Sequence, residues 1–166
     1  MSESFELKPI HRDAIPEALE KAERYRLLNN PQQAESICRD ILSLDPDNQK
    51  ALVMLILVIT DQFFEHSGSP SAQAAREYAG QLRDEYQKVY YSGIIRERDA
   101  RAFLKRGAPG GSVYAGLREA MEWFERAEAL RPPGNDDPIL RWNSCVRTIE
   151  RERLSPPLVE RELPLE

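Results

Sequence analysis

A histidine beside two carboxylates is the arrangement in this sequence that comes nearest to a metal-binding site. Asp61, Glu65 and His66 follow an apolar segment, while the second histidine, His11, lies near the N-terminus. Metal sites need three or four convergent ligands, and carboxylates and a histidine at a helix end are usually only solvated. No Ser-His-Asp or Cys-His arrangement can be proposed from the positions of the two histidines. We therefore expect no metal ion, no cofactor and no enzymatic activity.

A glycine-rich segment at residues 107–111 is the second place where the residue types could bind a ligand. A phosphate-binding loop would need a Lys-Ser or Lys-Thr pair after its glycines, because the ammonium and hydroxyl groups contact the phosphates and a magnesium ion. No such pair follows residue 111. The segment is therefore predicted to be a flexible loop between two helices.

Basic residues accumulate just before this loop and are interleaved with Glu97 and Asp99. Residues three and four positions apart face each other on a helix, so the favoured interpretation is a solvated helix face with local ion pairs. The alternative is a patch that recognises anions or an acidic peptide next to Tyr90 and Tyr91, since Arg and Tyr are favoured at binding hot spots. The basic residues are Arg96, Arg98, Arg101, Lys105 and Arg106.

The two cysteines, Cys38 and Cys145, lie far apart in the sequence, and each sits among apolar residues at helical spacing. Neither belongs to a Cys-x-x-Cys or Cys-His cluster, which would indicate a metal or redox site. A free cysteine in such a setting behaves as a small hydrophobic residue. Both are therefore predicted to be buried, free thiols.

The charge balance and the apolar segments limit the classes of partner. The 166 residues carry 23 Lys and Arg against 28 Asp and Glu, a net charge of −5, whereas nucleic-acid binding needs clustered positive charge. Nucleic acid is therefore not an expected partner. The longest apolar run, residues 51–59, is shorter than the roughly 20 residues that span a bilayer, and the first residues show no secretory signal. We expect no membrane insertion and a cytoplasmic location.

Prolines, glycines and capping residues divide the chain into seven predicted helices, and no alternating pattern typical of a strand is present. Asn30 is expected to cap the second helix, Asp47 the third and Ser112 the sixth. Ser69 followed by Pro70 is expected to start the fourth. The helices are predicted over residues 15–28, 31–44, 49–63, 70–82, 85–106, 112–131 and 137–153.

The long proline-free segment over residues 72–106 allows two interpretations. Asp84 followed three residues later by Gln87 forms a capping-box pattern, which indicates a new helix start. This pattern favours a break near residues 82–85. The alternative is one long helix over the whole segment.

The first two helices form a hairpin of about 34 residues, a period shared by several helical repeat families. Its small and bulky residues have a fixed spacing, at Ala18, Ala22, Tyr25, Ala34, Cys38, Ile41 and Pro46. The second-helix spacing returns at Ala120, Phe124, Ala127 and Pro132, with Gly93 as the small residue of the preceding helix. This pattern resembles the tetratricopeptide repeat. The resemblance extends over about residues 14–151 and is weakest in the middle hairpin.

The resemblance implies an all-α fold, a right-handed stack of about three antiparallel helical hairpins closed by a C-terminal capping helix. A single hairpin cannot bury its apolar face alone, so the hairpins must stack. The third helix, which is apolar all round, is expected to be covered on both sides. The repeat domain is predicted over residues 14–153, between an N-terminal extension at 1–13 and a proline-rich tail at 154–166.

Tetratricopeptide proteins bind other proteins in a concave groove lined by the first helix of each hairpin. The resemblance therefore implies an adaptor or scaffold that binds a partner peptide or helix, with apolar residues supplying affinity and charged residues supplying specificity. Two alternatives are a self-assembling structural subunit that forms a homo-oligomer, and a regulatory subunit of a larger complex. The implied groove residues are Leu19, Glu23, Arg26, Val53, Leu57, Tyr90, Tyr91, Ile94 and Arg98.

Overall fold

The structure, a computed structural model, describes residues 3–64 and 72–158. These residues form seven α-helices and two short 3-10 helices, without a strand, so the predicted all-α class is confirmed. The α-helices are α1 (Ile15–Leu27), α2 (Pro31–Leu44), α3 (Gln49–Asp61), α4 (Ala72–Gly80), α5 (Glu85–Lys105), α6 (Gly110–Leu130) and α7 (Asp137–Arg151). The 3-10 helices are Arg12–Ala14 and Gln62–Phe64.

The chain divides into two compact units, Met1–Arg83 and Asp84–Glu166. The first unit contains α1 to α4, and the second contains α5 to α7. Since α4 ends at Gly80 and α5 begins at Glu85, the predicted break is confirmed and the alternative of one long helix is wrong. The predicted repeat domain over residues 14–153 stays a prediction.

Side-chain caps fix the start of three helices. Asn30 and Asp84, both predicted caps, each accept a hydrogen bond from the backbone N–H three residues on, at 3.4 Å and 3.3 Å. At the start of α3 this role falls to Asn48, at 3.0 Å, rather than to Asp47. The chain still turns at Asp47, so Asn48 is the residue with the extended backbone of a cap. The predicted cap of α3 was therefore one residue too early.

The start of α6 differs from the prediction for a different reason. The helix begins at Gly110, two residues before the predicted cap Ser112, and no side chain caps it. Pro109 occupies the cap position with φ −54°, because its ring holds φ near the helical value. Its carbonyl accepts the backbone N–H of Ser112 at 3.0 Å. The first turn of α6 therefore forms without a capping side chain.

The other helix ends lie within two residues of the predicted ones. The α-helical part of α3 ends at Asp61, and the chain continues through Gln62–Phe64 as a tighter 3-10 turn, a common way for an α-helix to end. The start of α4 predicted at Ser69 and Pro70 lies outside the described residues. The described part of α4 begins at Ala72.

In the first unit, each helix packs against the next along the chain, and α1 also contacts α3. Ala22 on α1 and Ala34, Cys38 and Ile41 on α2 are all fully buried, and the two helices pack against each other. The contacts of α3 with both α2 and α4 explain why α3 is buried on two sides. Its main core residues are Leu52, Leu55, Ile56, Val58 and Ile59.

In the second unit, α5 and α6 form a long antiparallel hairpin, and α7 packs on α6. Two glycines set the spacing of this hairpin. A Cβ added to Gly93 would lie 2.6 Å from the ring of Phe124, and one added to Gly116 would lie 2.8 Å from the Cβ of Ala100. The predicted role of Gly93 as the small residue opposite the helix of Phe124 is confirmed by this contact.

Both ends of the described chain pack on helices of their own unit. The guanidinium of Arg12 donates to the carbonyl oxygen of Leu44, at the end of α2, over 3.4 Å. Residues 154–158 have no regular secondary structure. They run so close to α6 that a Cβ on Gly111 would lie 2.8 Å from the Cα of Pro157. The described part of the tail therefore covers the start of α6.

Candidate functional site

Five of the nine predicted groove residues belong to the first unit, on α1 and α3. Arg26 on α1 forms a bidentate ion pair with Asp61 on α3, with Nε to Oδ2 at 2.7 Å and a terminal nitrogen to Oδ1 at 3.3 Å. Paired N–H···O bonds of this kind fix geometry as well as supply energy. The pair therefore holds one end of α1 against one end of α3. On α1, Leu19 is half-buried and Glu23 is exposed.

The predicted apolar contribution of α3 comes from Val53 and Leu57. These residues are four positions apart and four before Asp61, so all three lie along one side of the helix. All three are half-buried, whereas the neighbouring core residues of α3 are almost fully buried. This side of α3 together with the residues Leu19, Glu23 and Arg26 of α1 is called the α1–α3 stripe below.

The other four predicted groove residues belong to the second unit, on α5. Ile94 is 1% exposed and Tyr90 is 9% exposed, whereas Tyr91 and Arg98 are half-buried. The Tyr90 ring lies 5.9 Å from the ring of Phe124 and stacks on Tyr86 at 5.7 Å. The side chains of Tyr90 and Ile94 therefore contribute to the core of this unit. That all nine residues line one groove stays a prediction.

A buried polar network in the second unit was not foreseen from the sequence. Glu97 on α5 is fully buried, and both of its carboxylate oxygens have donors. Arg101 donates to Oε1 at 3.0 Å, Arg141 donates to Oε2 at 3.3 Å, and the thiol of Cys145 lies 3.6 Å from Oε1. Since Arg141 and Cys145 belong to α7, the carboxylate joins α5 to α7.

The two arginines of this network have further partners. Arg101 donates to the hydroxyl oxygens of Thr148 at 2.7 Å and Ser144 at 3.0 Å, both on α7. Burial raises the pKa of the Tyr90 hydroxyl, and the charge of Arg141 partly offsets this rise. Among the described residues, no buried side-chain nitrogen or oxygen lacks a hydrogen-bond partner. A fully satisfied buried network of this kind makes the packing of its helices rigid.

The sequence contained a signal for this burial. Residues 90, 94 and 97 are spaced four and three, which places Glu97 on the same helix face as Tyr90 and Ile94. The ion pairs predicted within this basic stretch are present, between Arg101 and Glu97 and between Arg96 and Asp99 at 3.3 Å. The predicted solvation of the face is wrong at Glu97, because that residue faces α7.

No family model, curated protein or solved structure matches this chain. No described helix is both long and apolar enough to cross a membrane. A functional interpretation therefore depends on the side chains and surfaces of the two units themselves.

Asp61, Glu65 and His66, the residues whose types come nearest to a metal site, lie only partly within the described residues. Asp61 is paired with Arg26, and Glu65 and His66 lie outside the described ranges. Over residues 3–64 and 72–158, no group of three or more His, Cys, Asp or Glu side chains is placed to hold a metal ion. The carboxylate of Asp61 instead contributes to the contact between α1 and α3.

The cysteines are free and buried, as predicted. Burial raises the pKa of Cys38 from 9.0 to about 12, and Glu35 adds to the effect. Burial likewise raises the pKa of Cys145 to about 12, with a further contribution from Glu97. Because the thiolate is the nucleophile, neither residue is suited to covalent chemistry at neutral pH.

At pH 8, both thiols of the folded protein are expected to react with an aromatic disulfide reagent at least about a hundredfold more slowly than a free cysteine. Absorbance of the released aromatic thiolate measures the rate, and the same reaction in denaturant should show two accessible thiols. A fast-reacting thiol in the native protein would contradict the burial of Cys38 or Cys145.

Proposed function

We propose that this chain is a protein-binding module of the tetratricopeptide type, and that its first unit holds a partner polypeptide along the α1–α3 stripe. Within this unit, α1 with α2 and α3 with α4 form consecutive hairpins, and the first helix of each contacts the other. In the family, the first helices of neighbouring hairpins line the binding groove. The proposal rests mainly on Val53 and Leu57, two half-buried apolar side chains on the side of α3 that leads to Asp61, whereas the core residues of α3 are buried.

The chemistry of the stripe suits a polypeptide partner. Val53 and Leu57 offer apolar area whose burial supplies affinity, and Glu23 on α1 is exposed and can pair with a partner's cation. Charged groups at the edge of an interface set register and association rate more than affinity. The ion pair of Arg26 with Asp61 keeps the two helices in place, so binding does not require them to be ordered first.

The variant Leu57→Asp tests the proposal, because it places a charge where the partner's apolar surface would be buried. We expect it to weaken partner binding by about tenfold or more, the effect of a truncated hot-spot residue. The measurement is affinity for a partner first isolated with the wild-type protein and then titrated in purified form. Leu42→Asp on α2 is the matched control, since Leu42 is also a half-buried leucine of the first unit.

Circular dichroism should show that both variants stay folded. Equal loss of binding in the two variants would mean that Leu57 acts only through stability, and unchanged binding in Leu57→Asp would exclude the stripe. Recovery of the chain alone would favour the second candidate, a self-assembling subunit. The exposed apolar side chains of Leu27, Leu28 and Leu158, at 74%, 69% and 97%, support that candidate.

A further inference from the structure

Two adjoining cavities lie between the N-terminal segment and the first hairpin of the first unit. One is an open cavity of about 170 Å³, bordered by residues 7–10 and by α2 residues that include Asp40 and Leu44. The other is an open cavity of about 200 Å³, bordered by Ile10, by one side of α1 and by Ile37 and Asp40. Since Ile10 and Asp40 line both, the cavities form one elongated depression.

This depression is separate from the α1–α3 stripe. Ala14, at the cap position of α1, lines it together with Ala18 and Lys21 of the helix. The spacing of four and three residues places these side chains on one side of α1. At about 100° per residue, this face lies roughly opposite Glu23 on the stripe. A ligand in the depression would therefore leave the stripe free.

The N-terminal segment beside the depression is bonded to the helices at residues 11–14 and is exposed to solvent at Leu7. Arg12 is tied to the carbonyl oxygen of Leu44, and the backbone N–H of Ala14 donates to the carbonyl oxygen of His11 at 3.0 Å. Leu7, which lines the first cavity, is nevertheless 91% exposed. The depression is thus formed in the free chain and open to solvent beside Leu7.

The carboxylate of Asp40 stands at the junction of the two cavities without a partner. Asp40 is half-buried, and the structure shows neither a hydrogen bond nor an ion pair for its side chain, in contrast to the neighbouring Arg39, which pairs with Glu35 at 3.5 Å. Lys8 and Lys21 also line the cavities but form no ion pair with it. A partly desolvated, unpaired carboxylate favours a cation that arrives with a ligand.

We propose that the depression binds an extended segment of a partner protein that carries an arginine between two apolar side chains. Side chains two residues apart point to the same side of an extended chain and lie about 6.6–7 Å from each other. A pattern of apolar residue, any residue, Arg, any residue, apolar residue therefore places one apolar side chain in each cavity and the guanidinium at Asp40.

Cavity size and charge both favour this occupant. The depression has two lobes of about 170 Å³ and 200 Å³, and each lobe has room for one side chain. The planar guanidinium can bond both oxygens of a carboxylate, which an ammonium group cannot do. Arginine is therefore preferred over lysine at the central position.

The probe is the acetylated and amidated peptide Leu-Ser-Arg-Ser-Leu, titrated into the isotope-labelled full chain and followed by amide NMR shifts. We expect shifts at Ile10, Ala18 and Ile37, and an affinity about fivefold higher than for Leu-Ser-Gln-Ser-Leu. In Asp40→Asn this preference should vanish. In Glu20→Gln, a matched loss of one exposed carboxylate on α1, the preference should persist.

A charge-reversed variant keeps the proposal open to refutation even if Asp40→Asn binds poorly. Asp40→Arg should prefer the peptide Leu-Ser-Glu-Ser-Leu. Four outcomes would each overturn the proposal. The wild type could bind the Arg and Gln peptides equally, or Asp40→Asn could keep the preference for the Arg peptide. The amide shifts could also be absent at millimolar peptide, or be confined to residues around Val53 and Leu57. The last outcome would place the peptide on the stripe instead.

Discussion

Replacement of Glu97 by glutamine is expected to lower the free energy of unfolding of the second unit by about 3 kcal/mol. The carboxylate is fully buried and receives Arg101 and Arg141 on separate oxygens. Removing its charge leaves two guanidinium groups facing each other inside the unit. Because the side chains of Arg101 and Arg141 are 23% and 36% exposed, water offsets part of their repulsion, and we expect the lower end of the usual range for a broken buried pair.

Tryptophan fluorescence during urea unfolding measures the change in the free energy of unfolding of the second unit. The two tryptophans of the chain, Trp123 and Trp142, both lie in the second unit, so the signal reports on that unit alone. Glu122→Gln is the matched control, because Glu122 is an exposed carboxylate on α6, and it should change stability by less than about 0.5 kcal/mol. An equal effect of the two substitutions would show that the network contributes nothing.

The double variant Glu97→Gln with Arg141→Met distinguishes two causes of the lost stability. One is the loss of the attraction between Glu97 and Arg141, and the other is the charge of Arg141 left without a counter-charge. If the cost of Glu97→Gln comes from leaving Arg141 without its counter-charge, adding Arg141→Met should recover part of the lost stability. Additive destabilisation would mean instead that the packing of each side chain matters more than the charge pair.

The second large effect is expected from Gly93→Ala, which should destabilise the second unit by about 1–3 kcal/mol. Alanine is a better helix former than glycine by about 1 kcal/mol, so the same substitution at an exposed helix position would stabilise the protein. Here the new Cβ would lie 2.6 Å and 2.8 Å from ring carbons of Phe124 and 3.1 Å from the Cβ of Trp123. The Phe124 ring is fully buried and packs on Tyr90, so it cannot move aside without repacking the core.

Gly110→Ala in the same unit provides the comparison. Its added Cβ would lie 3.5 Å from the nearest atom, a side-chain carbon of Leu154, which is an ordinary contact. The same fluorescence measurement should therefore find Gly110→Ala within about 0.5 kcal/mol of the wild type. If Gly93→Ala were neutral or stabilising, α5 and α6 would have to be farther apart than the structure places them.

Local signals predicted most of the fold. Asn30 and Asp84 were found from the sequence because a cap and its N–H partner lie three residues apart, and the small residue Gly93 was found from helical spacing. The cap predicted at Asp47 was wrong by one residue, because the neighbouring Asn48 caps α3. The cap predicted at Ser112 was wrong because α6 begins two residues earlier, at Gly110, without a capping side chain. Neither error concerns a core residue.

The candidate sites were predicted less well because they depend on which helices meet. Glu97 belongs to a charge-rich run that is typical of a solvated face. Its spacing from Tyr90 and Ile94 places it on a buried face, but that spacing does not tell that α7 supplies the partners of the carboxylate. The cavities at Asp40 depend on residues 7–10, a segment without periodicity that was expected to be a simple extension. Val53 and Leu57 are half-buried, and their predicted place in a binding groove stays a prediction.

The contact of Pro157 with the start of α6 sets an order for folding during translation. All four helices of the first unit have been synthesised once Arg83 is made, and the backbone N–H of Arg83 donates to the side chain of Gln49 at 2.9 Å. The contact between Gly111 and Pro157, in contrast, can form only after Pro157 has been synthesised, which is much later. Since domains fold as units from the N-terminus as they emerge, the first unit can be folded while the second is still an open hairpin on the ribosome.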